Sequence, residues 1–133
     1  MASRKLSDMH PTLQPIAEKF LGICVGEQID ILITCTYRSS QEQDALYAIG
    51  RTIPGKKVTN AKAGQSKHNF TMNGKPAAKA FDVVPLLNGK PIWDSANPLW
   101  QRVGVIGESL GLSWAGRWRT MKEYPHFELK ETS

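Results

Sequence analysis

The feature that most limits what this chain can fold into is a gap. Two β-rich, nearly continuously apolar runs, Ile29–Tyr37 and Ala80–Leu86, lie on either side of residues 51–79, which carry no sustained apolar period. Runs of that kind are expected as buried strands. A connection this long without periodicity is uncommon inside a compact domain, and where it occurs it usually carries function. The chain has 133 residues, enough to bury about two-thirds of its unfolded surface without a disulfide or a structural metal. One domain over 1–133 is therefore expected, its core built from the segments around the gap.

Those segments have readable periods. Leu6, Leu13, Ile16, Ala17, Phe20, Leu21 and Cys24 recur at three- and four-residue spacing, which predicts an amphipathic helix over Ser7–Cys24, with Pro15 disturbing its first turns. Ser39 or Ser40 caps a second helix that has Glu42 in its first turn, Ala45, Leu46 and Ile49 as its packing face, and Gly50 past its end. Asn88-Gly89 is a hairpin turn leading into Lys90–Trp93. A third helix is expected over Pro98–Leu110, stopped by Gly111, then short strands at Leu112–Trp114 and His126–Leu129. The sum is an α+β fold, about three helices with a small, mostly antiparallel sheet. Trp93, Trp100, Trp114 and Trp118 are expected mainly in the core. Cys24 and Cys35 fit no paired metal motif and sit among apolar neighbours, so they read as buried thiols.

Charge gives the gap a character. The formal charge is +5, yet residues 51–81 alone hold seven basic groups (Arg51, Lys56, Lys57, Lys62, Lys67, Lys75, Lys79) and no acid. Nucleic acid, an anionic cell envelope or an acidic small substrate would each suit such a segment, as would a solvated loop. Only Phe70 interleaves those basic residues, and single-stranded nucleic-acid binding relies on several aromatics, so that partner is set aside. No stretch approaches about 18 consecutive apolar residues, so no transmembrane span is expected. The N-terminal residues have no apolar region behind their charges, so no secretory signal peptide is expected and synthesis is placed in the cytoplasm.

The inventory of chemical groups is short. His10 precedes Pro11 and reads as solvated; His68 lies in the basic gap; His126 opens the last strand; Asp82 sits between apolar neighbours in a strand. A buried carboxylate is costly unless paired or bound to a metal. Two histidines and an aspartate supply three ligands and leave a fourth zinc position for water, the catalytic pattern. Spacing alone also allows a surface histidine in the loop and an aspartate bonded to a backbone amide or an arginine, and no HExxH motif is present.

Four blocks add to this reading: Thr36-Tyr-Arg-Ser-Ser-Gln-Glu-Gln43 with Leu46–Arg51; Ser66-Lys-His-Asn-Phe70; Ala80-Phe-Asp-Val-Val-Pro85; and Gly111–Trp118 with Glu123-Tyr-Pro-His-Phe-Glu128. Their content and order resemble the LAS-type zinc peptidases (peptidase family M15), the group of D-Ala-D-Ala carboxypeptidases and phage L-alanyl-D-glutamate endopeptidases, most of all the small phage endolysins. The resemblance implies the LAS, or hedgehog-type, zinc peptidase fold. It implies Zn2+ held by His68, Asp82 and His126, with Glu123 as catalytic carboxylate and Arg38 steadying the substrate carbonyl. Ser66 and Gln43 match positions near the substrate or the metal, and Trp118 is a candidate for the cleft wall. The family's usual His-to-Asp interval is shorter; Thr71–Lys79 is extra, and Asn73-Gly74 within it is expected to turn a hairpin. The implied substrate is the peptidoglycan stem peptide, and the basic segment 51–79, through Lys56, Lys57, Lys62 and Lys67, is expected to attract the anionic envelope. The implied protein is a monomeric catalytic domain without a separate wall-binding domain, made in the host bacterial cytoplasm and reaching the wall after the membrane is permeabilised. A D-Ala-D-Ala carboxypeptidase or dipeptidase, and an inactive envelope-binding module on the same fold, are the alternatives.

Overall fold

The computed structural model of the chain describes residues 2–119 and 122–130. Helix α1 runs Leu13–Gly26 and is followed by strand β1, Asp30–Cys35. Helix α2, Ser40–Ala48, precedes the irregular segment, which contains a one-turn 3-10 helix at Lys67–Asn69 and the two-residue strands β2, Thr71–Met72, and β3, Lys75–Pro76. Then come β4, Ala80–Leu87, β5, Lys90–Pro91, α3, Leu99–Ser109, β6, Leu112–Trp114, and β7, His126–Leu129. The main sheet has the order β1-β4-β7-β6, with β5 also paired to β4, and every pairing is antiparallel. The α+β class and the three helices are as expected, except that the first begins at Leu13 rather than Ser7, after a one-turn 3-10 helix at Leu6–Asp8. No helix among the described residues is long and apolar enough to cross a membrane.

The core lies between one face of this sheet and the helices α1 and α3. Phe81 of β4 and Phe127 of β7 stack at 5.7 Å, and Phe20 of α1 packs against both, at 5.5 and 5.2 Å. Val103 and Ile106 of α3 close the cluster from the other side. Helix α3 approaches the sheet closely because it carries glycines there: a Cβ on Gly104 would collide with the Trp114 ring, and one on Gly107 with the Phe127 ring. Pro15 disturbs nothing, since α1 begins at Leu13 and the first four helical N–H groups have no intrahelical partner to lose.

Two turns form where residue chemistry demands them. Asn73-Gly74 and Asn88-Gly89 all have positive φ, the conformation of tight hairpins whose twist suits the flanking strands. Three expectations fail. β1 is the edge strand of the sheet; Asp30–Ile33 alternate exposed with half-buried side chains and only Cys35 is buried, so it is not a buried strand. Helix α2 exposes Ala45, leaves Leu46 and Ile49 only half-buried, and fully buries Gln43 instead. Trp93 is not core but 61% exposed, whereas Trp100 and Trp114 are buried.

Candidate metal centre

The centre starts from sheet register. β4 sets Asp82 opposite Cys35 on β1 and opposite His126 on β7. Directly opposed residues share a sheet face, so these three side chains form a row across three strands. Cys35 joins the row only because the register shifts between Ile33 and Cys35, where two residues of β1 face one of β4. Regular alternation would leave Cys35 on the core face with Ile33; the extra residue re-aims it. His68 comes down on this row from the 3-10 helix, whose start is capped by Ser66: its hydroxyl accepts from the His68 backbone N–H at 3.2 Å.

Three ligand atoms then converge. Nε2 of His68 lies 3.0 Å from Oδ1 of Asp82 and 3.1 Å from Nδ1 of His126, and that Nδ1 lies 3.1 Å from the same Oδ1. The outer ring nitrogens are each committed elsewhere. Nδ1–H of His68 donates to the Thr36 carbonyl at 2.7 Å, and Nε2–H of His126 donates to Oε1 of Glu128 at 2.7 Å. A carbonyl and a carboxylate accept only, so they hold those protons and leave the inner nitrogens with their lone pairs directed at one another and at Asp82.

Such a set suits a divalent metal. Ligand atoms about 2.0–2.1 Å from a tetrahedral zinc stand about 3.3 Å apart, close to the spacing here. Two bare imidazole nitrogens and a carboxylate oxygen in mutual contact need positive charge between them. Without metal, protons supply it. Burial pulls the His68 imidazolium down, but the charge and hydrogen bond of Asp82 outweigh it and hold the pKa at about 10. His126 is likewise pulled down by burial and raised further, to about 9, by hydrogen bonds to Asp82 and Glu128. Asp82 is driven well below the carboxylate range by the two histidines against its own burial. Two imidazolium N–H groups crowded 3.1 Å apart are a poor substitute for one ion. Cys35, His68 and Asp82 also offer donor atoms within 4.8 Å of one another. The His126 set is the better one, because the Cys35 thiol lies 3.6 Å from Nδ1 of His68, the nitrogen already given to Thr36.

A cleft of about 720 Å³ opens over the centre, and Arg38, Ser66, His68, Trp118, Glu123 and His126 all line it. Arg38 is fixed from below: Nη1 donates to Oε1 of Gln43 at 3.0 Å, and Nη2 sits 3.7 Å from Oδ2 of Asp82. Gln43 itself does not reach the cleft. It is fully buried, and its Nε2 donates to the Ala61 carbonyl at 2.8 Å, so its amide is engaged with Arg38 and Ala61. The Trp118 ring leans on His126 at 5.5 Å. Glu123 is held three residues before His126 by a turn in which the His126 N–H donates to the Glu123 carbonyl at 3.1 Å. Burial raises its carboxyl above the usual range and Asp82 adds to the rise, opposed by His126, His68 and Arg38. A carboxyl so tuned is suited to taking and returning a proton.

The sequence model of an M15 peptidase family described as D-alanyl-D-alanine carboxypeptidase matches residues 59–129, more than half of the chain. A curated relative, the peptidoglycan L-alanyl-D-glutamate endopeptidase CwlK of Bacillus subtilis (strain 168), is 35% identical over 130 residues, covering 92% of this chain and 74% of its own. The chain belongs to peptidase family M15. Two solved structures share the fold of this M15 peptidase. The L-Ala D-Glu endopeptidase ChiX of Serratia marcescens superposes with a TM-score of 0.70 at 20% identity, covering 98% of this chain and 89% of that one. VanYB in complex with D-alanine-D-alanine has a TM-score of 0.63 at 14% identity, covering 91% and 71%.

Residues that support the centre of this M15 peptidase escaped the sequence reading. Glu128 holds His126 and is itself paired with Nζ of Lys67 at 3.1 Å, while Lys67 also donates to the Leu129 carbonyl. The signal was present: residues two apart in a strand share a face, so His126 implied Glu128. The basic segment also divides. Arg51 stacks on Tyr47 and donates to the Tyr47 and Thr59 carbonyls; Lys79 covers the Phe70 ring; Lys67 holds Glu128. Lys56, Lys57, Lys62 and Lys75 are the exposed members.

Proposed function

We propose that this M15 peptidase is a zinc-dependent peptidoglycan endopeptidase that hydrolyses the L-alanyl–D-glutamate bond of the stem peptide, and that it serves as a phage endolysin, acting on the wall once the membrane is permeabilised. The observation that carries the reading is the convergence of His68, Asp82 and His126 at the floor of a cleft bordered by Arg38 and Glu123. The names of CwlK and ChiX support the choice of bond.

His68 Nε2, Asp82 Oδ1 and His126 Nδ1 would hold the zinc, which when bound supplies a Lewis acid and makes water a nucleophile at neutral pH. Glu123 accepts the proton of the attacking water and returns it to the leaving amine, as general base and then general acid. Arg38, anchored by Gln43, presents its guanidinium to the carbonyl oxygen as negative charge develops there. Trp118 walls the cleft, and Ser66 fixes the turn that carries His68. The exposed Lys56, Lys57 and Lys62 raise the rate of encounter with the anionic envelope.

The test is digestion of purified peptidoglycan with and without a chelator, with the new ends read by mass spectrometry. Chelator-sensitive appearance of N-terminal D-Glu is expected. Release of D-Ala instead would establish the carboxypeptidase reading, which the description of the matching family favours. No product with zinc present would leave an inactive envelope-binding module.

A further inference from the structure

A second, smaller cavity of about 280 Å³ shares Glu123 with the main cleft and has Asp82 in its lining, so it abuts the metal centre. The rest of its lining is unlike that of the main cleft: Trp93, Ser95, Trp100, Lys122, Tyr124 and Pro125. Two features point to a ligand. Trp93 is 61% exposed among the described residues, a large aromatic side chain left mostly outside the core. Trp100 is 1% exposed, and its Nε1–H is a buried donor without a partner among the described residues. A buried N–H is normally satisfied, and this orphan belongs to a residue that lines the cavity.

The chemistry of the lining selects the acceptor. At its inner end Asp82 is already paired with His68, His126 and Arg38 and Glu123 is the proton-transfer carboxyl, so the remaining lining is what selects a ligand. Aromatic walls with a neutral N–H and the Ser95 hydroxyl suit a neutral group that has an apolar face and a carbonyl oxygen. An N-acetylated amino sugar has both: the C–H face of its ring stacks on an indole, and its acetamido oxygen accepts from an N–H. If the cut falls between L-alanine and D-glutamate, such a sugar is one residue away, because the lactyl group of N-acetylmuramic acid is amide-linked to that alanine and carries no charge in that linkage.

We propose that the cavity formed by Trp93, Ser95 and Trp100 is a subsite for the N-acetylmuramyl residue of the substrate, stacked on Trp93 with its acetamido carbonyl accepting from Trp100 Nε1–H. The subsite rests on the endopeptidase reading for its place along the substrate. It makes the enzyme one that prefers stem peptides still attached to the glycan strand over free peptides. Trp93 and Trp100 are then specificity residues that act through binding rather than through the proton transfers at Glu123.

Binding and cleavage test separate parts of the idea. In a 1H–15N spectrum of the zinc-loaded protein, N-acetylmuramyl-L-alanine, which lacks the scissile bond, should shift the indole N–H resonances of Trp93 and Trp100, assigned through Trp93→Ala and Trp100→Phe. The N-deacetylated sugar should leave the Trp100 resonance in place. In turnover, muramyl dipeptide should show a KM about tenfold below that of L-Ala-D-isoglutamine, the effect of one stacking contact and one hydrogen bond. Trp93→Ala, an exposed site whose loss threatens no core packing, should erase most of that ratio, and Ser95→Ala part of it. Unmoved indole resonances, or equal KM values for the two substrates, overturn the subsite. Shifted resonances with neither compound cleaved would support the subsite and overturn the endopeptidase reading.

Discussion

Glu128→Gln tests whether the charge behind His126 holds the metal. In the structure Nε2–H of His126 donates to the Glu128 carboxylate at 2.7 Å, a short, charge-assisted bond. Burial alone would raise the Glu128 pKa, yet the bonds from His126 and Lys67 hold it below the usual range, so the group is ionised at neutral pH. Gln keeps the shape and one acceptor but removes the charge. Hydrogen bonds to charged groups contribute about 1.5–3 kcal/mol and neutral ones about 0.5–1.5, so the loss is about 1–1.5 kcal/mol, or about 5–13-fold in zinc affinity. The side chain is 18% exposed, which places the effect toward the lower figure. Chelator competition on purified wild type and variant at one pH measures it. Lys67→Met, which removes the ammonium paired with Glu128 at 3.1 Å, should weaken zinc by less. Zinc affinity unchanged within twofold in Glu128→Gln would refute the view that this carboxylate orients and polarises His126.

Further outcomes follow from the same geometry. Glu123→Gln should lower turnover by about 10²–10⁴ with zinc still bound, checked by product release and metal content. At pH 7 the metal-free site holds both imidazoliums, at about 10 and about 9, so zinc binding should release about two protons, read by calorimetry in buffers of different ionisation enthalpy. The sign of the linkage is fixed: both histidine pKa values are raised, so their stabilisation is complete below about pH 6.5 and is lost as pH rises toward 9–10, and the melting temperature of the metal-free form should fall over that range. Gly107→Ala should destabilise by about 1–3 kcal/mol through collision with the Phe127 ring, whereas Gly22→Ala, exposed in α1 with nothing within 4 Å, should stabilise by about 0.5–1 kcal/mol in urea unfolding. Wall lysis should weaken as ionic strength rises, and replacing Lys56, Lys57 and Lys62 with Gln should flatten that dependence.

What was legible in the sequence was local. Asn73-Gly74 and Asn88-Gly89 declare their turns because few other residues accept positive φ at two successive positions. The Ser39 capping box with Glu42 and the three helices are equally local. Burial of β1 was not legible, because Ile31, Leu32 and Ile33 look the same whether a strand lies inside a sheet or at its edge; the order of strands decides it. Resemblance places Gln43 near the substrate or the metal, and the structure engages its amide with Arg38 and Ala61, contacts that depend on how the irregular segment folds over α2. His68, Asp82 and His126 lie 14 and 44 positions apart with no period between them, so resemblance named them where spacing could not. Their convergence is a matter of register and of one 3-10 turn. Cys35 was read as a small hydrophobe, and only the shift in β1 reveals that it faces the site.

The row across β1, β4 and β7 has a consequence for how activity first appears on the ribosome. Asp82 and His68 are synthesised together, but His126 belongs to a strand made after every other strand it joins. The 44 residues from Asp82 to His126 take about 2–9 s to translate. Throughout that interval the emerging polypeptide holds two donors of three, and Glu123 and Trp118, which border the cleft, also arrive late. On the proposed reading, competence for hydrolysis is thus a property of the completed sheet, acquired when β7 docks between β4 and β6.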